Sequence, residues 1–402
     1  MEKLPILEKP QFGSFLGLML ALLSALIASM PAEAQSETVL YNFCSRRGTC
    51  PDGAYPLSRL TADAAGNLYG TTHSGSPYGD VFEVSSNGSG SRNETVLYAF
   101  TGGTDGAYPQ FSPVTFDNLG NLYGTTQDGG AFGYGVVFEL HPTGSGWTET
   151  VLHSFAGTGD GSGPDTGVII DAAGNLYGAA PRGGPGNDGI VFELSPSGED
   201  WTEQVIYTFD ISLYFAPSGL TMDTRGNIFG AANLTVFELS PNGSGGWMPT
   251  VLHTFPGKYL GVVGTPALDN AGNMYGTLLL EKENGTMGVG EVYKMTQRNG
   301  QWKMQTLQRW EDGTGPYAGV VLDASGNIFG TTIGGGSNGQ GTVFELVAVK
   351  NKPYKQEVLW NFNGADGGQP ASSLILDSAG NLYGTAEFGG SIGFGTVFEV
   401  TP

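Results

Sequence analysis

Asp117-Asn118-Leu119-Gly120-Asn121-Leu122-Tyr123-Gly124 is one copy of a pattern, Asp-x-x-Gly-Asn-(Leu/Ile/Met)-(Tyr/Phe)-Gly. The same pattern starts at Asp63, Asp171, Asp223, Asp269, Asp323 and Asp377, with successive spacings of 54, 54, 52, 46, 54 and 54 residues. A period of this size marks a repeat architecture, in which each unit is one supersecondary motif that cannot bury its apolar surface alone. Within the copy, Asn118-Leu119-Gly120 reads as a tight turn. The glycine takes positive φ and the Asp side chain bonds nearby backbone amides.

Working outward from the turn, the unit holds four short β-like runs. In the second unit they are residues 112–117, 121–126, 136–140 and 148–155, separated by turn residues. Third runs such as Val81-Phe82-Glu83-Val84 and Val343-Phe344-Glu345-Leu346 put Phe and the last apolar residue on one face and the first Val on the other. Both faces therefore need cover. No sustained helical period occurs after residue 34, so the fold class is all-β. Seven four-stranded antiparallel units, each needing a neighbour on both sides, predict a seven-bladed β-propeller. The last unit stops at Pro402, after its third run, while Glu37-Thr38-Val39-Leu40-Tyr41-Asn42-Phe43 closely matches the fourth run Glu94-Thr95-Val96-Leu97-Tyr98-Ala99-Phe100. The N-terminal strand is thus expected to complete the seventh blade.

Composition narrows the class. Gly is 67 and Pro 22 of 402 residues, and charged residues are 14%, below the roughly 25% of an average soluble domain. Hydrophobic residues at 39% and aromatics at 11% exclude a disordered polymer, and the glycines lack the collagen period. A net charge of -21 excludes an electrostatic grip on nucleic acid. Residues 15–30 are uncharged and apolar, and Ala32-Glu33-Ala34 follows. That is the layout of a signal peptide over residues 1–34 with cleavage after Ala34, an uncleaved anchor being the alternative. Residues 35–402 are then a single exported domain, secreted, periplasmic or on the outer surface of a bacterial cell, with no transmembrane segment of its own. Cys44 and Cys50, the two cysteines, read as one local disulfide in an oxidising compartment. No metal-ligand spacing and no cofactor motif is present.

The run Gly-Asn-Leu-Tyr-Gly-Thr-Thr, followed by a Gly-rich loop and Gly-Thr-Val-Phe-Glu-Leu, resembles the GloVer tandem-repeat family of exported bacterial proteins, with full units at residues 121–140, 327–346 and 381–400. The resemblance implies export and display near the cell surface, often through a C-terminal anchor. It implies no established catalytic activity.

The signature Asp residues recur in every unit, so they read as turn formers rather than a catalytic ring. The third-run Glu residues read as partners of neighbouring groups, and the glycines Gly70, Gly124, Gly178, Gly230, Gly276, Gly330 and Gly384 as sites of close backbone approach. Gly335-Gly336-Ser337-Asn338-Gly339 matches a nucleophile elbow in letters alone, because that device needs a strand-to-helix turn. No catalytic residue is assigned. Candidate ligand contacts lie on the rim where the connections between units and the loops between second and third strands open together. They are Tyr55, Asp105, Tyr108 and Tyr317, set among Asp-Gly-x-x-Pro strings, where aromatic rings would stack on sugars and carboxylates would accept hydroxyl hydrogen bonds. The alternative is that Asp-Gly-x-x-Pro is a turn formula. Tyr214, Phe215 and Tyr259 flank the shortened fourth unit and mark a second, asymmetric candidate. The expected function is a monomeric binding or cell-surface interaction module for a glycan or envelope protein. A polysaccharide-acting glycosidase or lyase, or a purely structural repeat, is the rival.

Overall fold

A computed structural model of the chain describes residues 35–402 except 87–91, 199, 210–218, 257–258, 282–286 and 311–313. The segment read as a signal peptide lies outside the described residues. Seven antiparallel sheets follow one another around a ring. In the second blade the strands are Thr115–Phe116, Leu122–Thr126, Val136–Thr143 and Gly146–Ser154, hydrogen-bonded in that order. The first strands lie at the axis, where Thr61 and Thr115 donate through Oγ1 to the carbonyls of Val114 and Val168 in the next blade (2.5 and 2.6 Å). Fourth strands lie outside, alternating between exposed and half-buried residues.

The seventh blade is closed as expected. Ser36–Asn42 pairs antiparallel with Thr396–Thr401, from Ser36 opposite Thr401 to Asn42 opposite Thr396. The first strand of the first blade is split in two, Ala54–Pro56 and Thr61–Ala62, both pairing with Leu68–Ser74. Single bridges such as Ala107 to Asp128 and Gly368 to Phe388 repeat that upper half in other blades.

Each seam between blades carries its own core. Phe82 and Val84 pack with Tyr383 and Val397 of the seventh blade, whereas Val81 packs with Leu122 and Phe138 of the second. The period-2 alternation thus feeds two different cores from one strand. Aromatic side chains lock the outer edges: Trp201 meets Tyr123 of the preceding blade and Trp247 meets Tyr177, ring centroids 6.3 and 5.5 Å apart.

The strand glycines have a different cause from the one the sequence suggested. Gly124 stands opposite Phe138 across the ladder, and a Cβ on it would lie 2.6 Å from Phe138 Cζ. The same relation joins Gly70 to Phe82, Gly330 to Phe344 and Gly384 to Phe398. The phenyl ring of the third strand lies over a backbone with no side chain, so the approach is aromatic ring on glycine rather than backbone on backbone. In the fifth blade Tyr293 fills this place over Gly276.

Threonines stitch the upper seams. Thr71 Oγ1 donates to the carbonyl of Ser112 (3.1 Å), Thr331 to that of Ser372 (3.2 Å) and Thr385 to that of Ser58 (3.2 Å). Alanines 179 and 231 occupy the corresponding positions of the third and fourth blades.

Deleting residues 35–43 removes the closing strand together with fully buried Phe43, and is expected to lower the unfolding temperature by roughly 10 °C or more, read by calorimetry. Gly124→Ala is expected to cost about 1–3 kcal/mol through overpacking against Phe138, with denaturant midpoint as the measurement.

Candidate functional site

The seven signature aspartates are spent on their turns. Asp117 accepts from the amides of Leu119 and Asn121 (2.8 and 2.9 Å), from Asn121 Nδ2 (2.8 Å) and from the Tyr123 hydroxyl (3.2 Å). The third-strand glutamates meet the same tyrosines, Glu139 lying 3.2 Å from the Tyr123 hydroxyl and Glu399 3.1 Å from that of Tyr383, so that one phenol hydrogen is shared between an aspartate and a glutamate. These groups form the lower face. A groove of about 390 Å³ on that side is lined by Asp171, Tyr177, Glu193 and Trp247. Its polar groups bond one another, with Trp247 Nε1 donating to Glu193 at 3.2 Å. It is a by-product of the repeat rather than a site with groups to spare.

The upper rim differs. In blades one, two and seven the residue before the rim proline takes a left-handed conformation, with φ of 57° at Tyr55, 56° at Tyr108 and 52° at Gln369. In each case its amide donates to a loop carbonyl of the preceding blade: Tyr55 to Phe394 (2.9 Å), Tyr108 to Tyr78 (2.8 Å) and Gln369 to Gln340 (2.8 Å). That link places the Tyr108 ring 5.8 Å from Tyr78 and 5.4 Å from His73. Tyr55 likewise sits 5.5 Å from both Phe388 and Phe394. Both tyrosines are half-buried. Tyr317 is half-buried too, its hydroxyl pKa raised by burial and then by the charge of Glu387.

Asp105 lies in the turn leading to Tyr108, but its carboxylate accepts from the Thr101 amide and hydroxyl (2.8 and 2.6 Å), the Gly103 amide (3.2 Å) and Tyr98 (3.2 Å). Asp52 and Asp366 are held in the same way, by Tyr41 and Ser45 and by Asn363 and Trp360. The Asp-Gly-x-x-Pro string therefore works as a turn, and what this rim leaves exposed is aromatic.

Sequence reasoning missed most of these rings. Phe132 (61% exposed), Tyr134 (45%), Tyr78 (38%) and Phe388 (36%) stand on loops between second and third strands, and Phe111 (39%) on the connection into the second blade. The signal was present in Gly129-Gly130-Ala131-Phe132-Gly133-Tyr134-Gly135 and Gly389-Gly390-Ser391-Ile392-Gly393-Phe394-Gly395. All of these aromatics belong to blades seven, one and two. The matching loops of the third and sixth blades, residues 183–189 and 334–341, carry none.

Of the second candidate, Tyr214 and Phe215 lie outside the described residues. Tyr259 opens the strand Tyr259–Leu268. The shortened rim beside it is present: Ile228–Ala232 and Thr235–Pro241 are joined by Asn233 and Leu234 alone. Cys44 and Cys50 form a disulfide that packs with Ala54 beside Phe394, next to the closing strand. Ser337 lies in a loop between two strands, with no helix following. Among the described residues no cluster of three or more His, Cys, Asp or Glu could hold a metal ion.

Four outer-strand glutamates repeat one strained arrangement. Glu37, Glu94, Glu149 and Glu203 each bury Oε1 without a hydrogen-bond partner. Burial, followed by the charge of a connection aspartate, raises their pKa values to about 7, 8, 7 and 7. The aspartates are Asp366, Asp52 (with Asp80 acting more strongly on Glu94), Asp105 and Asp160. Because the pairing recurs from blade to blade it belongs to the scaffold.

With this geometry in hand, comparison with known proteins identifies the class: this is a propeller of the Gloeobacter/Verrucomicrobia repeat type, and the chain belongs to that family, whose repeat matches residues 76–282 and 262–402. No curated protein matches the sequence. Among solved structures it is similar to virginiamycin B lyase from Staphylococcus aureus, at 12% identity and a TM-score of 0.59, covering 92% of this chain and 99% of that one. It is also similar to a PL25 ulvan lyase bound to -[GlcA(1-4)Rha3S]-, at 10% identity and a TM-score of 0.58, covering 90% and 95%. An ancestral GH74 enzyme gives 13% identity and a TM-score of 0.58, covering 91% of this chain and 51% of that enzyme. At these identities the likeness is one of fold.

The glutamates predict an unusual pH response. A carboxyl whose pKa is raised on folding opposes folding above its folded value and is neutral to stability below its unfolded value. Stability should therefore rise as pH falls from above 8 through 7 towards about 4.5. The signature aspartates act the other way. Burial alone would raise Asp63, Asp117, Asp223, Asp269 and Asp377, but hydrogen bonds from the turn outweigh it and lower them. Their stabilisation is lost as pH drops below the unfolded value of 3.8. Melting temperature is expected to peak between about pH 4 and 5, and replacing the four glutamates by Gln should raise it at pH 8 and flatten the curve above pH 5.

Proposed function

We propose that this protein is an exported glycan-binding module whose contact surface is the aromatic arc of blades seven, one and two. The observation that carries the reading is the exposure of Phe132, Tyr134, Tyr78, Phe111 and Phe388 on one rim, held by loops that cross-link neighbouring blades. Flat rings on rigid loops suit the faces of pyranose rings, because an aromatic side chain offers apolar area at little entropic cost. The loops are tied down by glycine geometry that a side chain would disturb: Gly79 and Gly135 both take positive φ, and a Cβ on Gly79 would lie 2.5 Å from the Thr72 carbonyl.

A glycosidase or lyase would instead present two carboxyls, from different loops and outside the repeat, to one cleft. The outer-strand glutamates pair with connection aspartates from blade to blade, Asp52, Asp105 and Asp366 are held by their own turns, and Asp80 and Asp165, which depart from the repeat, are buried. That distribution favours binding over hydrolysis or elimination. The fold shared with the PL25 polysaccharide lyase keeps polysaccharide as the ligand class worth testing first.

A glycan array probed with the purified protein is the experiment, followed by titration of the best glycan against Phe132→Ala/Tyr134→Ala. Loss of stacking is expected to weaken binding about tenfold, equivalent to ~1.4 kcal/mol, with an unchanged melting temperature. A double variant that binds as tightly as the parent removes the arc from the site.

A further inference from the structure

The ladder register aligns one position in the first strand of every blade. Thr61, Thr115, Ile169, Thr221, Ala267, Val321 and Ile375 each stand opposite the second-strand aromatic. Two residues earlier lie Arg59, Pro113, Gly167, Gly219, Thr265, Gly319 and Ser373. Six of the seven are small or uncharged, and several are packed against their neighbours around the ring. A Cβ on Gly319 would lie 2.6 Å from the Thr265 carbonyl and 3.0 Å from Ser373 Oγ, and one on Gly167 would lie 2.9 Å from Pro113 Cδ. Arg59 alone carries a long, charged side chain at this level.

Its backbone is fixed on both sides. Ser58 Oγ accepts from the Thr71 amide at 2.9 Å, Leu60 is fully buried, and Thr61 is tied to the next blade. The side chain is nevertheless exposed to solvent. Desolvation lowers its pKa, and no carboxylate among the described residues offsets that effect. Arg59 lies between the two halves of the first strand, Ala54–Pro56 and Thr61–Ala62, at the level where the equivalent residues of other blades crowd one another around the ring, and an exposed side chain there opens on the axial channel. An uncompensated guanidinium there is costly, and it presents a planar fork of donors that suits carboxylate, sulfate or phosphate oxygens.

We propose that the axial channel is an oxyanion-binding site built on Arg59, taking the carboxylate or sulfate of an acidic saccharide or a free inorganic anion. The site breaks the sevenfold equivalence at one blade, and that blade also carries Tyr55, Tyr78 and His73 of the rim. It does not depend on the aromatic arc being a glycan surface.

The test is titration calorimetry at low ionic strength with sodium sulfate, sodium glucuronate and glucose, on the parent protein, Arg59→Gln, Arg59→Lys and Phe132→Ala. Sulfate and glucuronate should bind the parent and Phe132→Ala alike, while glucose gives no heat at this site. Arg59→Gln should weaken anion binding at least tenfold, and Arg59→Lys by less, since it keeps the charge and loses the fork. Glucuronate well ahead of sulfate marks a saccharide as the source of the anion, and parity marks a free ion. Melting curves separate folding from binding: Arg59→Gln should melt at or above the parent temperature, because it removes an uncompensated charge. Undiminished anion binding by Arg59→Gln, or no anion binding by the parent, overturns the proposal, and loss of glycan binding in Phe132→Ala with anion binding intact bears only on the rim.

Discussion

Every feature of this molecule depends on sheets that are apolar on both faces. The repeated Val-Phe-Glu-(Leu/Val) third strand sends Phe and the final apolar residue into one seam and Val into the next, so a blade left at the end of a row would expose a core face to water. Burial at about 25 cal/mol per Å² makes that exposure expensive for strands this rich in Phe and Val. A ring removes the ends. The cost moves to a single junction, where Ser36–Asn42 joins the strand Thr396–Thr401 and the Cys44–Cys50 disulfide holds the chain as it enters the first blade.

Regularity and function pull in different directions around that ring. Groups that recur around the ring, such as the signature Asp, the third-strand Glu (Lys294 in the fifth blade) and the strand-two Gly under an aromatic ring, account for folding and leave few side chains free. Asp105 shows how thoroughly this holds: four donors occupy its carboxylate before any ligand arrives. Chemistry is therefore to be sought where one blade departs from the others. The departures are the aromatics of blades seven, one and two, the missing loop after Ala232, and Arg59 at the axis. The acidic character of the chain sharpens the last of these. Outer-strand glutamates set against connection aspartates are pushed towards their neutral form in four blades, whereas Arg59 is a cation with no carboxylate beside it among the described residues.

The blade count, the strand order and the borrowed closing strand were all legible in the residues, because they follow from local and periodic rules. Asp117 to Gly124 encodes its own turn through side-chain hydrogen bonds two and four residues away, and alternation along 136–140 encodes which residues face a neighbour. The Tyr41-for-Tyr98 correspondence was enough to place the N-terminal strand. The candidate site was legible only in part. Tyr55, Tyr108 and Tyr317 were found from their turn strings, yet the aromatics that dominate the rim sit inside Gly-rich loops that look like spacers in one dimension.

What the sequence alone determined is whatever depends on neighbours a few residues apart or on a repeat: turn chemistry, strand faces and the need for a closed ring. Only the tertiary structure decided which side chains converge across seams. It set Phe388 beside Tyr55, separated by most of the chain, put a ring rather than a backbone over Gly124, and left Arg59 exposed with no counter-ion among the described residues. Those outcomes rest on distances between blades and on solvent excluded by the ring as a whole, and neither quantity exists until the ring has closed.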